Sequence, residues 1–461
     1  MTVSAIDPGS FRDPGGRIFL HGARVLRAVM SVSADAYVAV RDAGLLRSLA
    51  ERGLLLDAKE IDPSILDEVQ PPPAFVLEHP RIPFISYPYE WSFSLHRRAA
   101  LHQLDLHLEA LDAGFTLSDA TAYNVQFEGT RPVFIDHLSL RPYREGEFWI
   151  GHRQFCQQFL NPLLMWTLVK VQPNAWFRGS LEGIDPEALA PLLPLSKKLS
   201  FTVMTHVVAQ AALQNRSVRS GQSAAPTGKL PLNGFKALLS GLRDYIAKMK
   251  VGDDRTVWSD YATHNSYAAS EAQAKRAFVG ESVAAIEPKL MFDFGCNTGD
   301  YSEVGLDAGA KYVVGFDYDH GALEQAFRRF EASKRPMLPL WLDAANPSPS
   351  QGWAEQERKG LSERARGDFL VALAFIHHIV IGRNVPLPMA LDWLVGMAPA
   401  GVIEFPPKSD PMVQRLLATR EDIFPDYSVE AFTALLGERA RVVRSQQLAE
   451  NGRVLVAYDR T

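Results

Sequence analysis

Three carboxylates that close apolar runs are the residues of this chain best placed to do chemistry. Asp293 sits at the end of Lys289-Leu-Met-Phe-Asp293-Phe and is followed at once by Gly295-Cys296-Asn297-Thr298-Gly299. Asp317 closes Lys311-Tyr-Val-Val-Gly-Phe-Asp317, 24 residues beyond Asp293, and Asp343 closes Met337-Leu-Pro-Leu-Trp-Leu-Asp343. A carboxylate at a strand end accepts hydrogen bonds from hydroxyls or an amine, and a glycine turn opening a helix lets backbone approach a ligand closely. An acid roughly 20 residues past such a turn matches the interval at which a doubly wound sheet returns a carboxylate to a ribose hydroxyl. After the run Asp368–Phe375 come His377 and His378. An imidazole titrates near neutrality and can take a proton from a reacting group. Glu404 and Asp410 are second candidates, as acids that bind an amine or hydroxyl of an acceptor, or else a strand-end acid and a helix cap.

A second constellation lies earlier. Asp119 is followed by Asn124, then by a short hairpin, then by Asp136 at the end of an apolar strand. That order can build a magnesium-phosphate site, with one acid near an acceptor hydroxyl and the Asn and second Asp on the metal. The same three residues also serve as a turn or cap residue, a turn-tolerant Asn and a strand end.

Both constellations need elements to hold them. Apolar runs at 289–294, 311–317, 337–343, 368–375 and 400–405 alternate with helical patterns, and 440–444 with 453–458 form a closing antiparallel pair. The spacing predicts an α/β sheet with the acids at its carboxyl edge. In the first half, two strands flank His21-Gly22-Ala23, a helix covers 35–52, Pro71-Pro72-Pro73 breaks the chain, and a helix over 94–113 stops at Gly114. This predicts an α+β domain. The Ser-, Gly- and Pro-rich stretch 216–229 reads as a surface linker. The expected organisation is a flexible arm at 1–16, a first domain at 17–215, a linker at 216–232 and a second domain at 233–461.

At 461 residues the chain is long enough for two cores, and 47% hydrophobic content with 22% charged residues describes a globular protein. The formal charge of −5 shows no basic excess to attract nucleic acid or an anionic membrane, and no apolar run reaches the length of a membrane span. Two cysteines, Cys156 and Cys296, far apart, supply neither a disulfide framework nor a CxxC zinc site. A reducing cytoplasm is the expected location, and the oligomeric state is left open.

At Asp293–Gly299, Asp317 and Asp343 the chain resembles class I S-adenosylmethionine-dependent methyltransferases. It also resembles a bacterial group of such proteins with an extra N-terminal half, some of them labelled nodulation proteins. The resemblance implies a Rossmann-like, seven-stranded methyltransferase domain binding S-adenosyl-L-methionine. On it, Gly295, Asn297 and Gly299 form the loop against the methionine part, and Asp293 supports that loop and the amine. Asp317 takes the ribose hydroxyls, Tyr318 packs on adenine and Asp343 faces the adenine amino group, with Cys296, Ala344 and Ala374 in the same site. Asn297 stands where many relatives carry a Gly. His377, His378 and Glu404 are the catalytic candidates, and methyl transfer requires no metal.

At Asp119, Asn124 and Asp136 the chain resembles aminoglycoside-phosphotransferase-like and protein kinases. This implies a kinase-like first domain with magnesium-ATP held at those residues. Ser118 stands in place of the usual His, His137 follows the second Asp, and Arg27 replaces the strand Lys, departures that point to a degenerate kinase fold holding a substrate or partner. The function implied is methylation of a small-molecule acceptor, free or carrier-bound, in specialised metabolism. The alternatives are a bifunctional kinase-methyltransferase and a non-catalytic regulatory protein that binds the cofactor.

Overall fold

The computed structural model describes residues 5–212, 228–251, 269–448 and 452–460. The linker residues 216–227 and the stretch 258–267, which carries Trp258, Tyr261, His264 and Tyr267, lie outside the described residues. The chain forms two compact units, one of Met1–Phe127, Arg131–Gly252 and Ser350–Arg358, the other of Glu128–Thr130, Asp253–Pro349 and Lys359–Thr461.

The first unit is built on an antiparallel sheet of β1 (Ala5–Ile6), β2 (Gly16–His21), β3 (Arg24–Val29), β4 (Lys59–Ile61) and β5 (Phe75–His79), in the order β1-β2-β3-β5-β4. Gly22, at φ +62°, makes the tight turn between β2 and β3. The helical pattern after β3 becomes two helices, Ser31–Asp42 and Leu45–Glu51, because Gly44 at φ +75° breaks it. Helix Phe93–Asp112 buries Leu95, Ala99, Leu104 and Leu111, and Gly114 at φ +84° follows it as a left-handed terminator. Next come β6 (Phe115–Leu117), paired with β9 (Leu140–Pro142), and between them the two-stranded β7 (Val125–Glu128) and β8 (Arg131–Phe134).

Two expectations are corrected here. The arm is tied down from residue 5, since Ala5 and Ile6 pair with Leu20 and Phe19, and Arg12 Nε lies 2.7 Å from Glu357 Oε1. The boundary does not fall at 216–232, because helix Leu232–Ala247 belongs to the first unit. Its Phe235 ring meets His107 at 5.3 Å and Lys236 donates to Asp112 at 2.6 Å, so its apolar face is covered by helix Phe93–Asp112.

The second unit holds a seven-stranded sheet: β10 (Met291–Phe294), β11 (Val313–Asp317), β12 (Met337–Trp341), β13 (Phe369–Ala372), β14 (Ala400–Phe405), β15 (Arg441–Gln447) and β16 (Val454–Asp459). The order is β12-β11-β10-β13-β14-β16-β15; the first five strands run parallel and β16 runs antiparallel to both β14 and β15. The parallel strands are covered on both faces, so they read as continuous apolar runs rather than alternating ones. Among the described residues, no helix is long and apolar enough to cross a membrane.

The first unit keeps several histidines in its interior. Burial lowers His79 to about 2, His107 and His137 to about 3, and His96 and His102 to about 4. Each is neutral when folded, while in the unfolded chain it takes a proton below about pH 6.5. The unfolded state therefore binds more protons in acid, and stability falls as pH drops from 6.5 towards 4. Urea unfolding of the full chain at pH 8, 6.5 and 5 is expected to show a midpoint steady across the first interval and steeply lower in the second. An unchanged midpoint at pH 5 would show that these imidazoles are not held neutral.

Candidate active site

The strand order reverses between β10 and β13, so their carboxyl ends diverge and leave a crevice at the switch point. A cavity of ≈ 460 Å³ occupies it, lined by Asp293, Gly295, Cys296, Asn297, Asp317, Tyr318, Asp343, Ala344, Ala374, His377 and His378 among others. Residues brought from four strand ends thus share one wall.

Asp317 organises the loop above it. Its Oδ2 accepts from the Asn297 amide at 2.8 Å and its Oδ1 from the Asp319 amide, also at 2.8 Å. A carboxylate has further lone-pair sites, so these two bonds leave Asp317 able to accept hydroxyls from the cavity. Asp293 is 2% exposed and accepts from the Ser302 hydroxyl at 2.7 Å. Burial pushes the Asp293 carboxyl up to about 7, with the nearby Asp317 charge adding to it, and burial likewise pushes Asp317 up to about 6. The cavity is therefore short of positive charge at its acid wall.

The loop geometry accounts for the residue at 297. Asn297 has φ +49°, a left-handed conformation that Asn tolerates better than most residues, so it can stand where relatives carry Gly. Gly295 is also left-handed, at φ +75°. Gly299 departs from its expected place: it is absent from the cavity wall and instead starts helix Asp300–Asp307 at φ +85°, where a Cβ would come 2.5 Å from the Phe330 ring. Its role is close packing. Tyr318 is 59% exposed at the mouth, its ring centroid 5.9 Å from that of Trp341.

His377 and His378 open helix Ile376–Arg383, with ring centroids 4.1 Å apart. His377 is fully buried, and neither of its ring nitrogens has a hydrogen-bond partner among the described residues. Burial, with His378 and Arg453 nearby, holds it well below the usual histidine range. A buried polar group left unpaired in a cavity wall calls for a ligand or water to satisfy it.

Glu404 is a correction. It does not line the cavity; at 0% exposure its carboxylate accepts from Lys275 Nζ at 3.0 Å, the Ala374 amide at 2.7 Å and Arg453 Nη1 at 3.4 Å. Burial alone would raise its pKa, but the Lys275 and Arg453 charges outweigh burial and hold it below the usual range. Arg453 Nε reaches Asp410 Oδ2 at 2.6 Å, and Asp410 Oδ1 caps helix Pro411–Leu417 through the Met412 amide at 2.9 Å. Two cations and two carboxylates thus neutralise one another beneath the wall. Lys275 and Arg453, both on the cavity surface, were not expected from the sequence; a basic residue opening a buried strand, as Arg453 does, is the signal that was there to read. Ala374, bonded to this network, sits at φ +48°, strained backbone that places the start of the histidine helix.

The second expected constellation also assembles, within the first unit. Asn124 Nδ2 donates to Asp119 Oδ2 at 3.1 Å and to Asp136 Oδ2 at 3.3 Å, and Arg27 Nη1 donates to Asp136 Oδ1 at 2.9 Å. Burial and the Asp136 charge raise Asp119 above the usual carboxylate range. The set does not fit a magnesium nucleotide as arranged: the Arg27 guanidinium supplies Asp136 with the positive charge a metal would bring.

The reversed sheet order and the antiparallel closing strand give the second unit a Rossmann-like fold with an acid-lined crevice at its switch point. The chain belongs to the NoeA family of nodulation proteins: it is 45% identical over 459 residues to nodulation protein NoeA of Rhizobium meliloti (strain 1021), spanning 98% of this chain and 96% of that protein. It is also 31% identical over 115 residues, 24% of this chain and 40% of the other, to the 16S/23S rRNA (cytidine-2'-O)-methyltransferase TlyA of Mycobacterium tuberculosis (strain CDC 1551 / Oshkosh). Among solved structures, N-methyltransferase NodS from Bradyrhizobium japonicum WM9 aligns with TM-score 0.31 and 14% identity, over 41% of this chain and 97% of that one. No family model matches the chain.

Removing one member of a buried charge network strands its partners. Glu404→Ala is expected to destabilise the chain by about 3–5 kcal/mol in urea unfolding. A loss below about 1 kcal/mol would mean that Lys275 and Arg453 are hydrated rather than held by Glu404.

Proposed function

We propose that the second unit is an S-adenosylmethionine-dependent methyltransferase acting on a small-molecule acceptor. The observation that carries this reading is the pair Asp293, 2% exposed, and Asp317, partly buried, beneath a left-handed glycine loop in the crevice at the sheet's switch point. Acids in that state favour a ligand with a cationic amine and hydroxyls. The residues fit the cofactor: Asp293 and the Gly295–Asn297 backbone would hold its amino-acid end, Asp317 its ribose, and Tyr318 with Asp343 its base. When bound, it supplies an electrophilic methyl group on sulfur.

The protein's own contribution is positioning and proton management. His377 presents an unprotonated, unpartnered ring nitrogen that accepts the hydrogen bond of an acceptor N–H or O–H and fixes its direction. It takes that proton as the acceptor gives up electron density. Lys275 and Arg453, already neutralised by Glu404 and Asp410, close the wall without repelling a cationic donor. A net charge of −5, without a basic excess, supports a small acceptor rather than a nucleic acid.

In the first unit, the Arg27–Asp136 pair supports a binding role for substrate or partner over phosphotransfer.

With methyl-labelled cofactor and a pool of amine- and hydroxyl-bearing metabolites, wild type is expected to form labelled product without ATP. His377→Ala should lower kcat about 10²–10⁴-fold. In both proteins kcat/KM should fall below about pH 6–7, where Asp293 and Asp317 take up protons and lose the charge that holds the amine. Full activity in His377→Ala would remove His377 from the reaction, and product formation that requires ATP would restore the bifunctional reading.

A further inference from the structure

The first unit contains a cluster that none of the preceding chemistry uses. Helix His152–Phe155 passes directly into a π-helical turn, Cys156–Leu160, and His206 lies in another, Met204–Val208. A π turn inserts an extra residue into the helical period and re-aims side chains, and such turns recur at functional sites. His152 and Cys156 are four residues apart and share a helix face. His152 Nε2 lies 2.7 Å from His206 Nδ1 and 3.7 Å from Cys156 Sγ, and one ligand atom from each of the three residues falls within 4.8 Å of the others. Cys156 is fully buried, His206 is 4% exposed, and His152 is only partly buried.

The neighbour Gln210 supplies an independent observation. Its Nε2 is placed 2.8 Å from His152 Nδ1 and 3.7 Å from Cys156 Sγ, while its buried Oε1 has no partner among the described residues. The two ends of an amide are interchangeable in shape, so the hydrogen-bond network decides which way it points. Turned end for end, Gln210 Oε1 accepts from His152 Nδ1–H. That pairs Oε1, moves the amide nitrogen to the position Oε1 held, and leaves His152 Nε2 unprotonated, its lone pair directed at His206 Nδ1 2.7 Å away and towards Cys156.

We propose that His152 Nε2, His206 Nδ1 and Cys156 Sγ bind a zinc-class divalent cation, with Gln210 orienting His152 from outside the ligand set. A tetrahedral zinc with its usual bond lengths separates two nitrogens by about 3.3 Å and a nitrogen and sulfur by about 3.6 Å. The distance from Cys156 Sγ to His152 Nε2 already meets this, His206 Nδ1 lies within 4.8 Å of the sulfur, and the two imidazoles need to part by about half an ångström. Two imidazoles and one thiolate match the ligand preferences of zinc. On binding, the Cys156 thiol gives its proton to solvent and a sulfur–metal bond replaces the sulfur–hydrogen bond. The fourth position is left to a water or an exogenous donor, and His152 lies on the less buried side of the cluster.

The test uses the full chain without a histidine tag, stripped with a chelator and titrated with cobalt(II) or zinc. Wild type is expected to bind about one cobalt per chain with a thiolate-to-cobalt charge-transfer band, and zinc should displace it. Cys156→Ala should lose the band. Because Cys156 is buried and that variant risks misfolding, Gln210→Ala is the second arm: it should keep the band and bind the metal roughly 10–100-fold more weakly. The proposal is overturned if wild type shows no charge-transfer band with cobalt in excess, if a folded Cys156→Ala retains it, or if Gln210→Ala binds as tightly as wild type.

Discussion

Asp317 accepts two backbone amides, one from the loop after β10 and one from the turn after its own strand, while Asp293 beside it lies almost wholly out of water. Holding two acids in such a place is unfavourable unless something positive or hydrogen-bonding meets them. The sheet makes this arrangement available: parallel strands end together, and where their order reverses the backbone opens into a crevice. The left-handed Gly295 and Asn297 let the loop turn above Asp317 so that the Asn297 amide serves as a donor, and beside the cavity Lys275, Arg453, Glu404 and Asp410 neutralise one another.

What the sequence made legible follows from how local each signal is. Strand-end acids, a glycine turn and an unbroken apolar run are short-range patterns, and Asp293, Asp317, Asp343, His377 and His378 all fall on the cavity wall as their spacing implies. Glu404 has the same local signature yet faces away, because its partners Lys275 and Arg453 stand 129 and 49 residues distant in sequence. Nothing near Glu404 announces them. Gly299 shows the reverse case: its place in the motif suggested a ligand contact, while the space it vacates is needed by Phe330.

Domain limits were harder to read for the same reason. A Ser- and Gly-rich stretch marks a surface loop, but it does not reveal which core the next helix joins. The helix Leu232–Ala247 goes back to the first unit through Phe235 and Lys236, contacts that local composition does not encode. The ordered segment at Ala5–Ile6 pairs with β2 through backbone groups, which any sequence supplies. In the first unit, Asp119, Asn124 and Asp136 meet as their spacing suggested, and it is Arg27, from a distant strand, that changes what the group can do.

The central claim is that the crevice above Asp317 is a cofactor site. Calorimetric titration with S-adenosylhomocysteine, comparing wild type with Asp317→Ala of verified fold, tests it most directly. The account predicts one site in wild type and an affinity at least tenfold weaker in the variant. Equal affinity in the two proteins, or no binding by wild type, would contradict it.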